Sequence, residues 1–126
     1  MQMGQFDHER LDVYKASIDF VATANAVVEA LPRGRAYLAD QLQRAATSIP
    51  LNVAEGAGEF SRKDKARFYR IALRSATECA ALLDVLDRVK LGDKPGLAAG
   101  RELLLRIVSM LTKMAKALGD GDDRAP

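Results

Sequence analysis

A set of basic side chains is spaced for one side of a helix, and it offers the clearest chemistry in this chain. The steps are four, three and four, and a later arginine returns to nearly the same direction, which gives Lys63, Arg67, Arg70, Arg74 and Arg88. At about 100° per residue these positions lie within roughly 40° of a common direction, and the first four span about 16 Å. Guanidinium forks bind phosphate oxygens through paired hydrogen bonds, and several such contacts release counterions together. This set, hereafter the basic ridge, therefore predicts contact with the phosphates of RNA or DNA.

Two other interpretations of the basic ridge stay open. It also fits a solvated outer face, since arginine favours helices, or a protein partner with an acidic face. Residues 61–91 carry eight basic and four acidic side chains, a net +4, whereas residues 1–31 carry a net −3. The net charge of +2 for the whole chain is too small to identify a nucleic-acid binder. Recognition is expected to rest on phosphates, because we assign Phe68 to the core and leave only Tyr69 as an exposed ring nearby.

A second polar set follows one side of the preceding helical stretch at steps of four, four and three: Arg44, Ser48, Asn52 and Glu55. Buried polar groups are costly unless they are paired. Arg44 and Glu55 are about three turns apart, so they cannot pair with each other. We therefore predict that the set reaches neighbouring helices or protomers and fixes their register, in preference to lining a catalytic cleft. Pro50 lacks an amide hydrogen and predicts a kink in the same helix.

No combination of residues in the sequence forms a convincing catalytic or metal site. The single histidine, His8, stands in the N-terminal segment without a second histidine or a cysteine nearby. Cys79 falls in an apolar series and lacks a partner histidine, which makes it a poor nucleophile. Three aspartates near the C-terminus lack the glutamate that closes a calcium loop; they are Asp120, Asp122 and Asp123. The sequence therefore predicts no enzymatic activity, no metal ion and no cofactor.

Helices must position these side chains, because alanine and leucine are abundant and apolar residues recur at helical spacing. Four helices are predicted at about residues 9–31, 35–57, 62–91 and 95–118. Ser61 and Asp93 are the predicted N-caps of the last two helices, and Gly56 with Gly58 is expected to end the second. Short connections make consecutive helices antiparallel. The prediction is one all-α domain over 1–126, an up-down-up-down antiparallel four-helix bundle with a disordered acidic tail at 119–126.

The first helix carries two apolar series rather than one. The first series is Leu11, Tyr14, Ile18, Val21, Asn25 and Val28, and the second is Val13, Ser17, Phe20, Ala24, Val27 and Leu31. Together they cover about half of the circumference, which is wider than a helix of an isolated bundle needs. The width predicts a second contact surface, either a broad core face or a neighbouring protomer of a homo-oligomer.

The second helical stretch resembles a known family. Residues 41–58 read QLQRAATSIPLNVAEGAG, with shared positions at Gln41, Leu42, Arg44, Ala45, Ala46, Ser48, Ile49, Pro50, Asn52, Ala54, Glu55 and Gly56. Further shared positions follow at Phe68, Ile71, Ala72, Ser75 and Glu78. This pattern is similar to that of the four-helix-bundle proteins encoded in intervening sequences of bacterial 23S ribosomal RNA. Gln43 and Arg74 depart from it, since the family usually has arginine and glycine at these two positions.

The resemblance implies a small helical bundle that assembles into a homopentamer. In a related group, the accessory proteins of diversity-generating retroelements, a basic pentamer binds a reverse transcriptase and nucleic acid. We therefore expect a non-catalytic homo-oligomer that binds RNA or DNA through the basic ridge. The alternative is a protein-interaction adaptor, such as an accessory subunit of a reverse transcriptase or another nucleic-acid enzyme. With no signal peptide and no apolar run of about 18 residues, the sequence predicts a cytoplasmic protein that does not contact membranes.

Overall fold

A short 3-10 helix and four α-helices make up the part of the protein that the structure describes, residues 4–119. In this computed structural model the 3-10 helix spans Asp7–Arg10, and the α-helices are α1 (Asp12–Glu29), α2 (Ala36–Gly58), α3 (Arg62–Arg88) and α4 (Lys94–Ala117). No strand occurs among residues 4–119. The all-α class predicted from the sequence is therefore confirmed. Within the same residues, no helix is both long enough and apolar enough to cross a bilayer.

The N-terminal segment differs from the predicted helix boundary. α1 begins at Asp12 rather than near residue 9, because Leu11 takes an extended conformation (φ −82°, ψ 129°) that separates α1 from the 3-10 helix. The Glu9 carboxylate accepts a hydrogen bond from the Phe6 amide at 2.7 Å. Glu9 therefore stabilises the start of the 3-10 helix instead of the start of α1.

Ser61 and Asp93 cap the last two helices as predicted. The Ser61 Oγ accepts a hydrogen bond from the Asp64 amide at 2.9 Å, and the Asp93 Oδ2 accepts one from the Gly96 amide at 2.8 Å. Each bond satisfies an amide group that a helix N-terminus otherwise leaves without a partner in the helix. The start of α3, where the basic ridge begins, is thus fixed by its own sequence.

The core is built from the inward faces of all four helices. Each helix packs against its neighbours in sequence, and α1 also packs against α4. In α1 the second apolar series forms the core face, whereas Ile18 of the first series stays 45% exposed. Most of the first series packs at the edge of the core, so part of the wide apolar arc is used within the protomer. The largest fully buried side chains are Phe20, Leu42, Ile49, Leu86, Leu104, Ile107 and Leu111.

Individual contacts place the end of one helix beside the start of the next. Near the end of α2, Gly56 lies against Tyr69, which is in the first turns of α3. Near the end of α3, the Asp84 carboxylate lies 3.9 Å from the Arg101 guanidinium, which is in the first turns of α4. These contacts fit antiparallel neighbours, and the up-down-up-down order of the bundle remains our interpretation of them.

Gly56 lies inside α2 rather than at its end, because α2 continues to Gly58. A Cβ added to Gly56 would stand 2.6 Å from Cε1 of Tyr69, so the missing side chain makes room for this ring. Tyr69 is only 5% exposed, whereas Phe68 is half-buried. The expectation that Phe68 lies in the core and Tyr69 at the surface is therefore wrong. Burial also raises the pKa of the Tyr69 phenol.

α2 continues as a helix through Pro50, whose ring is buried. The kink expected from the missing amide hydrogen stays a prediction. The acidic tail predicted at 119–126 lies, after Gly119, outside the described residues, and so do Asp120, Asp122 and Asp123.

Candidate nucleic-acid interface

The basic ridge lies on the side of α3 that faces away from the core. The buried face of α3 is formed by Ala66, Tyr69, Ala72, Ser75, Ala76, Cys79, Leu82, Leu83 and Leu86. At about 100° per residue, the ridge positions point in nearly the opposite direction. Four of the five ridge side chains are exposed and one is half-buried: Lys63, Arg67, Arg74 and Arg88 are exposed, and Arg70 is half-buried. The structure therefore places all five predicted residues toward the outside of the bundle.

Three arginines of the basic ridge are not neutralised by acidic side chains of residues 4–119. The ion pairs of this part of the chain lie elsewhere: Arg10–Asp7 (3.1 Å), Arg44–Asp40 (3.3 Å), Lys94–Asp87 (3.4 Å) and Arg101–Asp84 (3.9 Å). Arg67, Arg74 and Arg88 take part in none of them. Their guanidinium groups are therefore positioned to bind an external anion.

Arg67 packs against an aromatic ring that the sequence interpretation had assigned to the core. Its guanidinium carbon lies 4.6 Å from the centroid of the Phe68 ring. Such a cation–π contact restricts a long side chain while its charge remains exposed. Because Phe68 is only half-buried, its ring is accessible to Arg67.

Two basic residues at the start of α3 bind backbone carbonyl groups and do not belong to the ridge. The Arg62 guanidinium donates to the Ala117 carbonyl of α4 at 2.9 Å. The Lys65 ammonium donates to the carbonyls of Gly56 and Ala57 in α2, at 3.2 and 3.0 Å. Helix C-termini carry unpaired carbonyls and partial negative charge, so these cations stabilise the ends of both neighbouring helices. Sequence analysis missed both roles, although antiparallel packing places the start of α3 beside those two helix ends.

The second polar set is only partly a contact between helices. The Ser75 hydroxyl of α3 donates to the Ser48 Oγ of α2 at 2.9 Å, and the Asn52 amide donates to the Ser48 carbonyl at 2.8 Å and to its Oγ at 2.9 Å. Arg44 instead pairs with Asp40 on its own helix, and its side chain is 80% exposed. Glu55 is exposed and has no hydrogen bond or ion pair among residues 4–119. Within the protomer, therefore, neither Arg44 nor Glu55 bridges two helices, and their contact with another protomer stays a prediction.

Cys79 and His8, the two side chains considered for catalysis, lie in surroundings that do not favour a catalytic role. Burial, together with the nearby Glu78 carboxylate, raises the pKa of the Cys79 thiol to about 12. A thiol with this pKa is protonated at neutral pH and is a poor nucleophile. His8 lies against the rings of Phe6 and Tyr14, with centroid distances of 5.8 and 4.6 Å. Within residues 4–119, no group of three or more histidine, cysteine, aspartate or glutamate side chains is arranged to hold a metal ion.

A pocket of about 290 Å³, which was not predicted from the sequence, lies between α3 and α4. Its lining residues are Ala80, Leu83, Asp84, Asp87, Lys94, Leu97, Ala98 and Arg101. The four charged residues of this lining form the Lys94–Asp87 and Arg101–Asp84 pairs, so their charges are already compensated. The pocket therefore presents no uncompensated charge to a ligand.

Comparison with known proteins identifies a relative of similar fold. A crystal structure of a protein with unknown function, from the S23 ribosomal protein family of Bacteroides thetaiotaomicron, superposes with a TM-score of 0.76 at 24% sequence identity. The alignment covers 82% of this chain and 98% of that protein. At this level of identity the likeness shows a shared fold. No curated protein matches the chain.

The family model of the 23S rRNA-intervening sequence protein matches residues 9–113, a span that includes α1, α2, α3 and nearly all of α4. The matched residues contain both the polar set of α2 and the basic ridge. The chain therefore belongs to the family of 23S rRNA-intervening sequence proteins.

Proposed function

We propose that this protein is a non-catalytic homo-oligomer that binds the phosphate backbone of RNA or DNA through the basic ridge of α3. The observation that carries the proposal is the outward placement of Arg67, Arg74 and Arg88, which have no ion pair with any residue of 4–119. Guanidinium groups at regular spacing on one rigid helix suit a row of phosphates, and counterion release then supplies affinity.

Exposed apolar side chains support the homo-oligomer in this proposal. The exposed large apolar side chains include Ile18 of α1 (45%), Leu51 of α2 (60%) and Leu105 of α4 (54%). Apolar residues of this kind lose unfavourable contact with water when protomers associate. The homopentamer implied by the resemblance would repeat the basic ridge in every protomer. A repeated charged surface attracts a polyanion more strongly than the net charge of a single chain.

The test combines light scattering with fluorescence anisotropy, using a short RNA both as a single strand and as a duplex, at increasing salt. A ridge variant, Arg67→Gln with Arg74→Gln, is compared with a control, Arg33→Gln with Arg106→Gln, which removes the same charge from exposed positions outside the ridge. Loss of two phosphate contacts should reduce the slope of log K against log salt by roughly 1 to 2 in the ridge variant alone. Equal binding by both variants and the wild type, or an oligomer that never gains RNA mass, contradicts the proposal.

A protein-interaction adaptor is the second candidate, for instance an accessory subunit of a reverse transcriptase or another nucleic-acid enzyme. The observation that favours it is the exposure of Val85 (44%) and Val89 (50%) near the end of α3, beside the last arginine of the ridge. Apolar side chains next to a cation suit a protein surface with acidic and apolar groups. The adaptor would be favoured if the mass of the oligomer does not change when RNA is added and the oligomer binds a purified reverse transcriptase.

A further inference from the structure

Phe60 is fully exposed in the connection between α2 and α3, with a relative solvent accessibility of 100%. Aromatic side chains normally bury a large apolar area, so a ring that is completely surrounded by water is uncommon. The ring stands immediately before the Ser61 cap and three residues before Lys63, the first residue of the basic ridge. An accessible aromatic surface is therefore found at the end of a row of cations.

We propose that Phe60 stacks on an unpaired base, and that the ligand of the basic ridge is single-stranded RNA or DNA. The inference rests on the proposed function and specifies its ligand. Proteins that bind single strands combine cations along the backbone with aromatic rings on which bases stack. In a duplex the bases stack on one another, whereas a single strand exposes base faces to a ring such as Phe60.

The backbone on both sides of Phe60 is fixed, although its ring is exposed. On one side, the Glu59 amide donates to the Gly56 carbonyl at 3.2 Å. On the other side, Ser61 caps α3, and Arg62 binds the end of α4 at 2.9 Å. Because the backbone here is already ordered, stacking of a base on the ring costs little further backbone entropy. The backbone that carries the ring is therefore ordered before a ligand binds.

Other exposed aromatic residues lack this combination. Phe6 is 72% exposed, but its ring already stacks on His8. Tyr37 is 60% exposed and stands in the first turn of α2, so the length of that helix separates it from Phe60. At 1.5 Å per residue this separation is about 30 Å. Tyr37 is therefore a matched control, an exposed aromatic ring at the end of α2 that lies far from Phe60.

The experiment measures binding of a labelled single-stranded RNA of mixed sequence, the duplex of the same sequence, and a strand of equal length with abasic sites. Wild type should bind the intact single strand more tightly than the abasic strand, which keeps the phosphates but offers no base. Phe60→Ala should weaken binding of the intact strand roughly tenfold, in line with the loss of one base–aromatic stack. Phe60→Tyr should retain binding, Tyr37→Ala should match wild type, and the duplex affinity should be the same for all variants.

Two results overturn the inference while leaving phosphate binding intact. The first is equal binding of the intact single strand by wild type and Phe60→Ala, with salt-dependent binding that still needs the ridge arginines. The second is a reduced oligomer mass for Phe60→Ala in light scattering, which would place Phe60 between protomers. The proposed function itself fails in a different way, namely when wild type binds none of the three nucleic acids at low salt.

Discussion

The close approach of α2 and α3 at Gly56 makes a quantitative prediction for Gly56→Ala. The new Cβ would lie 2.6 Å from Cε1 and 2.8 Å from Cδ1 of Tyr69, and 3.2 Å from Cβ of Phe68. The Tyr69 ring is 5% exposed and cannot move aside without disturbing the core. Overpacking of this kind typically costs about 1–3 kcal/mol. A 2.6 Å contact with a buried ring belongs in the upper part of that range, about 2–3 kcal/mol. The better helix propensity of alanine returns about 1 kcal/mol, so a net loss of about 1–2 kcal/mol is expected.

Gly58→Ala is the matched control, because Gly58 ends the same helix and no heavy atom lies within 4 Å of a Cβ added there. Without a clash, only two terms change the free energy of unfolding: the higher helix propensity of alanine and the lower conformational entropy of the unfolded chain. Gly58→Ala should therefore be neutral or stabilising by up to about 1 kcal/mol. Each variant adds one methyl group, and only Gly56→Ala is expected to lower the free energy of unfolding.

The assay is urea unfolding followed by circular dichroism, at one fixed protomer concentration so that association contributes equally to every variant. A third variant combines Gly56→Ala with Tyr69→Leu, which removes the ring atoms nearest the new Cβ. The loss caused by Gly56→Ala should be smaller in the Tyr69→Leu background than in the wild type. The packing argument is refuted when Gly56→Ala is as stable as wild type, or when its cost is unchanged in the Tyr69→Leu background.

The remaining predictions concern a cap, a hydrogen bond between helices, an interface residue and the buried thiol. Ser61→Ala should lower the free energy of unfolding by about 1 kcal/mol, and Ser61→Asp should preserve it. Ser75→Ala removes the hydrogen bond to Ser48 and should cost about 1 kcal/mol in the same urea assay. Glu55→Ala should lower the melting temperature or dissociate the oligomer, and an unchanged mass and melting temperature would remove Glu55 from the predicted interface. For Cys79, burial raises the pKa from 9.0 to about 12. The unfolded chain loses this proton first, so the stability of the wild type relative to Cys79→Ala should fall as the pH rises from about 9 to about 12.

Helix periodicity was sufficient to predict α3, its cap and its outer surface. It was not sufficient to decide between two adjacent aromatic residues. Phe68 and Tyr69 differ by about 100° around the helix, and both directions border the buried arc. The ring that enters the core is the one opposite Gly56, and that pairing depends on how α2 and α3 pack. Spacing along one helix contains no information about a space on its neighbour.

Long charged side chains are the second place where the structure differs from the sequence predictions. The spacing of Arg44 suggested a contact across helices, yet it pairs with Asp40 one turn earlier on its own helix. Arg62 and Lys65 looked like ordinary members of a basic segment, and each binds carbonyl groups at the end of another helix. Several groups lie within reach of a long side chain, and its position on one helix does not decide which of them it binds. By contrast, the outward direction of Arg67 and Arg74 follows from helix geometry alone, which is why the ridge could be predicted.

The hydrogen bonds of Arg62 and Lys65 also have a consequence for local unfolding. They join the first turn of α3 to the last turns of α4 and α2, so fraying of any one of these three ends breaks bonds that stabilise another. The three ends should therefore open together as one cooperative unit, with similar rates of amide hydrogen exchange. Helix termini are usually the most mobile part of a helix. At the start of α3, these hydrogen bonds instead hold the backbone next to Phe60 and Lys63 in place. A nucleic acid that binds there would meet a surface already ordered before the encounter.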